Sequence, residues 1–154
     1  MPVPERIREL NQGLVDAFNR RDAAGAACFY ADHATLFLLG LPEPATGRAA
    51  IAAEYAELFR GFPDITMKLT GEVVEGDTAA VEWLMVGTQT GTLEGGLEPI
   101  PPTGRKVELR GAAVFKVNPE GKLMEHHIYF DQVSRLQQLG VMPGPAAGPR
   151  ANLP

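Results

Sequence analysis

From Ile65 onward the chain alternates extended apolar segments with turn signals, and no helical pattern interrupts them until after Phe130. The segments are Ile65–Val74, Ala79–Val86, Val107–Val117 and Leu123–Phe130, separated by Glu75–Gly76–Asp77, a Gly/Pro-rich stretch at 91–104, and Asn118–Pro119–Glu120–Gly121. The chain before them reads differently. Ile7, Leu10, Leu14, Ala17 and Phe18 recur at helical spacing and predict a helix over residues 4–20, ending near Arg20 and Arg21. Asp22 is placed as the N-cap of a short helix carrying Ala26, Ala27, Phe29 and Tyr30. Thr35–Leu39 reads as a short strand, and Gly47 opens a third helix with Ile51, Tyr55, Leu58 and Phe59 on one face. Helices followed by a largely antiparallel sheet make an α+β pattern, with the helices covering one sheet face. A strongly curved sheet wrapped around a helix would enclose an apolar pocket, and few other places in so short a chain could hold a ligand.

The 154 residues fit one domain over 1–141, followed by a Pro/Gly-rich tail at 142–154 expected to be disordered unless a neighbouring subunit pins it. With 14 Lys+Arg against 19 Asp+Glu the formal net charge is −5, which offers no electrostatic footprint for nucleic acid or anionic lipid. Cys28 is the single cysteine and cannot form an internal disulfide. No apolar run is long enough to span a membrane, and Met1–Leu10 lacks a signal-peptide core, so a soluble cytoplasmic protein is expected. Three histidines without metal-ligand spacing, and a single cysteine, argue against a metal site. The 91–104 connection reads as either a mobile flap or a pinned hairpin tip.

Several short phrases stand in a telling order: Ala17–Phe18–Asn19–Arg20–Arg21–Asp22, Phe29–Tyr30–Ala31–Asp32, Phe62–Pro63–Asp64, Pro102–Thr103–Gly104–Arg105, Gly121–Lys122, Tyr129–Phe130–Asp131 and Gln138–Leu139–Gly140. Together they resemble the SnoaL-like polyketide cyclase family, within the nuclear transport factor 2-like superfamily of cone-shaped α+β folds. The resemblance implies N-terminal helices packed on a strongly curved, mostly antiparallel sheet, an apolar cavity between them, a homodimer formed through the outer sheet face, and cofactor-free ring closure by acid/base chemistry. It also implies departures. Ring-closing cyclases and limonene-type epoxide hydrolases carry an aspartate where this chain has Ile128. A cyclase histidine falls at about Ala113, and the catalytic aspartate of ketosteroid isomerases falls near Leu38.

The chain's own polar residues must then supply the chemistry. Alternation from Ile128 puts Met124, His126, Ile128 and Phe130 on the cavity face, which makes His126 the leading acid/base candidate, the alternative being a histidine hydrogen-bonded at the rim. Glu125, His127, Tyr129 and Asp131 share the opposite face. Glu54 borders the apolar stripe of the third helix and is a second candidate. Asp131 recurs in the family phrase and is a third, although its position also fits an N-cap of the helix after it. Glu82 could be buried opposite His126 or Arg110, His33 reads as a surface residue or cap, and Arg105 as an anchor of the loop mouth. Phe18, Tyr30, Leu38, Tyr55, Trp83, Ala113, Phe115 and Ile128 are the expected pocket lining. The favoured function is a cofactor-independent enzyme of cyclase, isomerase or hydratase type acting on an apolar polyketide- or terpenoid-like compound. The alternatives are a binding protein without chemistry and an epoxide hydrolase using Glu54 or Glu82.

Overall fold

The structure, a computed structural model, describes residues 3–38, 41–94 and 98–144. Helix α1 (Val3–Asn19) lays Ile7, Leu10, Leu14, Ala17 and Phe18 into the core along one stripe. Asp22 caps α2 (Ala23–Ala27), its carboxylate accepting from the Gly25 amide at 2.9 Å. Strand β1 (Tyr30–Leu38) and the two-residue β2 (Ala45–Thr46) precede α3 (Arg48–Gly61). Then come β3 (Thr66–Glu75), β4 (Thr78–Thr88), β5 (Lys106–Val117), β6 (Leu123–Phe130) and α4 (Gln132–Leu139). The sheet order is β2-β1-β6-β5-β4-β3, antiparallel throughout except for the parallel β1–β6 pair. Among the described residues, no helix is long and apolar enough to cross a membrane.

Two expectations about local structure are corrected. Tyr30 does not continue the second helix but starts β1, where it pairs with Leu123, and the Leu123 amide donates to the Phe29 carbonyl at 2.9 Å. Tertiary pairing with β6 claims the Phe29–Tyr30 backbone before a second turn of helix can. Met124 is exposed rather than cavity-facing, because the β5–β6 register shifts between Lys116 and Val117 and turns Leu123 inward instead. A bulge of this kind reverses the alternation on one side of itself and leaves the rest of the strand in phase. Leu39 and Gly40, Gly95 to Leu97, and most of the 142–154 tail lie outside the described residues.

Several of the family-like phrases are clamps. Asn19 pairs with the Met67 backbone on both sides, accepting from its amide at 2.7 Å and donating to its carbonyl at 3.0 Å, which ties the end of α1 to β3. The Asp64 carboxylate accepts from the Thr88 amide at 2.7 Å, and that bond holds its acid below the ordinary aspartate range. Asn118 accepts from the amides of Glu120 and Lys122 and closes the β5–β6 turn.

Candidate active site

Between the inner sheet face and helices α1, α3 and α4 lies a cavity of about 1020 Å³, at the upper end of the range for small-molecule sites. Strand register orders its wall. One row across the sheet runs Leu36, His126, Phe115, Ala79, and the next runs Leu38, Ile128, Ala113, Val81. Beyond these come Phe130, Gly111 and Trp83, and then Leu109 with Met85 and Met67. Gly111 has no side chain where the indole lies: a Cβ there would stand 2.2 Å from Trp83 Cζ2. At the far end from His126, the Gln138 amide bonds both backbone groups of Glu108, which seats α4 over that end of the sheet.

His126 is 6% exposed, and its Nδ1 lies 2.7 Å from the Tyr30 hydroxyl, which lies 2.8 Å from the Tyr55 hydroxyl. Tyr30 is fully buried behind the wall, whereas His126 and Tyr55 both line the cavity. Nε2 of His126 takes no hydrogen-bond partner among the described residues. Burial, and secondarily the neighbouring His127, pushes the imidazole down to about 4, so it is neutral at pH 7. Burial likewise raises Tyr55 to about 12 and Tyr30 well above the ordinary phenol value. The result is three neutral, linked proton carriers. Arg48 holds the chain in place, with Nε donating to the Tyr30 carbonyl at 2.7 Å and the guanidinium paired to Asp32 at 2.8 Å.

Of the expected lining, Phe18, Leu38, Tyr55, Trp83, Ala113, Phe115 and Ile128 are on the wall. Tyr30 is not, for the reason just given. Glu54 lines the cavity from α3, and burial, followed by repulsion from Glu57, raises its acid. Asp131 does not reach the cavity: its carboxylate accepts from the Ser134 amide at 3.0 Å and caps α4. Glu82 is exposed on the outer sheet face rather than buried against a partner, because Val81 and Trp83 take the inward positions. His33 is exposed, and Arg105 packs its guanidinium over Gly140 at the end of α4. Among the described residues, no three metal-ligating side chains converge.

Four cavity-region residues escaped sequence reasoning. Asn11 is buried on the wall and donates to Glu72, and its place four residues after Ile7 and three before Leu14, inside an apolar stripe, was a readable signal. Gln89 is fully buried; its amide donates to the carbonyls of Gly91, Ile100 and Pro101 and accepts from the Thr103 amide and hydroxyl. Those bonds, with the Leu93–Ile100 bridge, pin the described parts of the 91–104 connection, residues 91–94 and 98–104. Gln132 and Arg135 enter the cavity wall from α4. Nothing local in the sequence marks those three.

Residues 8–139 match the family described as SnoaL-like polyketide cyclase. Among curated proteins, none matches the chain by sequence. Among solved structures, a Jannaschia sp. CCS1 protein assigned as a SnoaL-like polyketide cyclase superposes with a TM-score of 0.80 at 20% identity, covering 93% of this chain and 97% of the other. IdmH of Streptomyces antibioticus, assigned as a polyketide cyclase, gives 0.72 at 28% identity over 87% and 98%. An NTF2-like protein of Burkholderia pseudomallei K96243 gives 0.71 at 15% identity over 87% and 97%, which places the fold in the nuclear transport factor 2-like class.

Proposed function

The chain belongs to the SnoaL-like polyketide cyclase family, and we propose that it is a cofactor-independent acid/base enzyme that closes or isomerises an apolar, polyketide-like substrate. The observation that carries this reading is the hydrogen-bonded chain His126–Tyr30–Tyr55, whose two ends lie on the cavity wall. In the starting tautomer Nδ1–H donates to Tyr30, Tyr30 donates to Tyr55, and Nε2 keeps a lone pair. Nε2 takes a proton from a carbon next to a carbonyl as that carbon attacks a second carbonyl of the same molecule. Nδ1–H passes to Tyr30, the Tyr30 proton to Tyr55, and the Tyr55 proton to the new alkoxide. One C–H and one C=O are lost, and one C–C and one O–H are gained; the other tautomer of the chain remains. No imidazolium persists, which suits a site where burial disfavours the cation. Glu54 is the second acid/base group of the reading, from the α3 side. The outer sheet face, where Phe37 stacks on His127 at 4.2 Å and Tyr129 and Val114 are exposed, supports a homodimer contact, which light scattering of the purified protein tests.

The test is deuterium wash-in from D₂O at the activated methylene of aryl β-keto esters. The wild type catalyses exchange and His126→Ala loses it. Binding of the same esters without any exchange supports a ligand carrier instead. Labelled oxygen appearing from water in a diol supports epoxide opening through Glu54.

A further inference from the structure

We propose that Arg135 forms a subsite for a carboxylate at one end of the otherwise apolar ligand, so that the acid rather than its ester is the preferred form. This rests on the cavity being a ligand site and deepens the function above. Gln132 and Arg135 stand three residues apart on α4, hence on one helix face, and both line the cavity. Arg135 Nε is a buried donor with no hydrogen-bond partner; Gln132 Oε1 is likewise unpartnered but, as an acceptor, does not bind a carboxylate. Among the described residues the Arg135 side chain has no ion pair; it lies over the Phe130 ring, 5.3 Å from the centroid. Glu54, Glu57 and Glu98 also line the cavity, yet none is within ion-pair distance of Arg135. Burial alone lowers the guanidinium, with no carboxylate contributing.

A buried guanidinium N–H without an acceptor is costly, and a forked donor facing an apolar chamber fits a planar carboxylate. Phe130 and His126 are four residues apart on β6, about 13 Å at strand rise, so a carboxylate over Phe130 leaves an elongated ring system lying along β6 toward Nε2 of His126.

Trp83, the chain's one tryptophan, is part of the wall, so quenching of its fluorescence reports occupancy. The probes are anthraquinone-2-carboxylic acid and its methyl ester. Wild type should bind the acid at least about tenfold more tightly than the ester, and Arg135→Met should remove that preference. Arg135→Lys, which keeps the charge, should retain part of it and serves if the methionine variant fails to fold. Equal affinities in the wild type, a preference that survives Arg135→Met, or no quenching by either probe overturns the subsite. The readout involves no turnover, so its failure is separable from loss of deuterium exchange, which sinks the relay instead.

Discussion

The Tyr30 hydroxyl lies 2.7 Å from Nδ1 of His126, and the two rings pack 5.8 Å apart between centroids. This contact joins the first strand to the last across the parallel pair, and it makes a buried histidine one end of the proposed proton path. Removing the hydroxyl should therefore separate chemistry from fold. Tyr30→Phe keeps the ring packing against Tyr55 and costs about 1–3 kcal/mol through the unsatisfied imidazole nitrogen. Deuterium exchange should drop about 10²–10⁴-fold, while ligand quenching of Trp83 persists. Exchange at the wild-type rate in this variant would rule out the relay.

Stability should depend on pH through His126. Its native value is about 4, below the ordinary value near 6.5, so above pH 6.5 both folded and unfolded states hold it neutral and the full stability is present. Between the two values the unfolded chain binds a proton that the native site refuses. Stability is then lost as pH falls, by about 2 kcal/mol at pH 4.5 from this group alone. Urea unfolding of the wild type and His126→Gln at pH 7.5 and 4.5 checks this: the variant should lack that part of the slope. Exchange activity should likewise stay flat down to about pH 5, where an unperturbed histidine would already have lost it.

Gln89 should prove the keystone of the 91–104 connection. Gln89→Leu fits the space but strips five hydrogen bonds from the loop, leaving Thr103, Ile100 and Pro101 without their shared partner. We expect a loss of about 2–4 kcal/mol and new cleavage between residues 91 and 104 in limited proteolysis. Protease resistance equal to the wild type would show that the Leu93–Ile100 bridge alone holds the loop.

Gly111→Ala should disturb the cavity without changing a polar side chain. The added methyl would meet Trp83 Cζ2 at 2.2 Å and the Tyr129 carbonyl at 2.7 Å, so the indole must rotate or the strands must part. Overpacking of this kind costs about 1–3 kcal/mol, and the Trp83 emission maximum should shift with it. An unshifted spectrum at full stability would mean the wall is softer than the packing indicates.

The sequence alone determined the elements whose signals are local: the apolar stripe of α1, the Asp22 cap, the helix opened by Gly47, and the four long strands with their turns. Alternation along β6 also put His126 on the inner face, because a strand that stays in register carries its facing in every second residue. Only the tertiary structure decided the rest. Tyr30 left the predicted helix because β6 offered it a parallel partner, and Met124 turned outward because a bulge reset the register beside it. Asp131 spent its carboxylate on a helix end. The contacts Tyr30 to His126, Gln89 to Thr103, and Arg135 over Phe130 join residues through the tertiary fold. Hydrogen-bond partners and desolvation are properties of three-dimensional neighbours, and periodicity along a chain carries no record of which neighbours those will be.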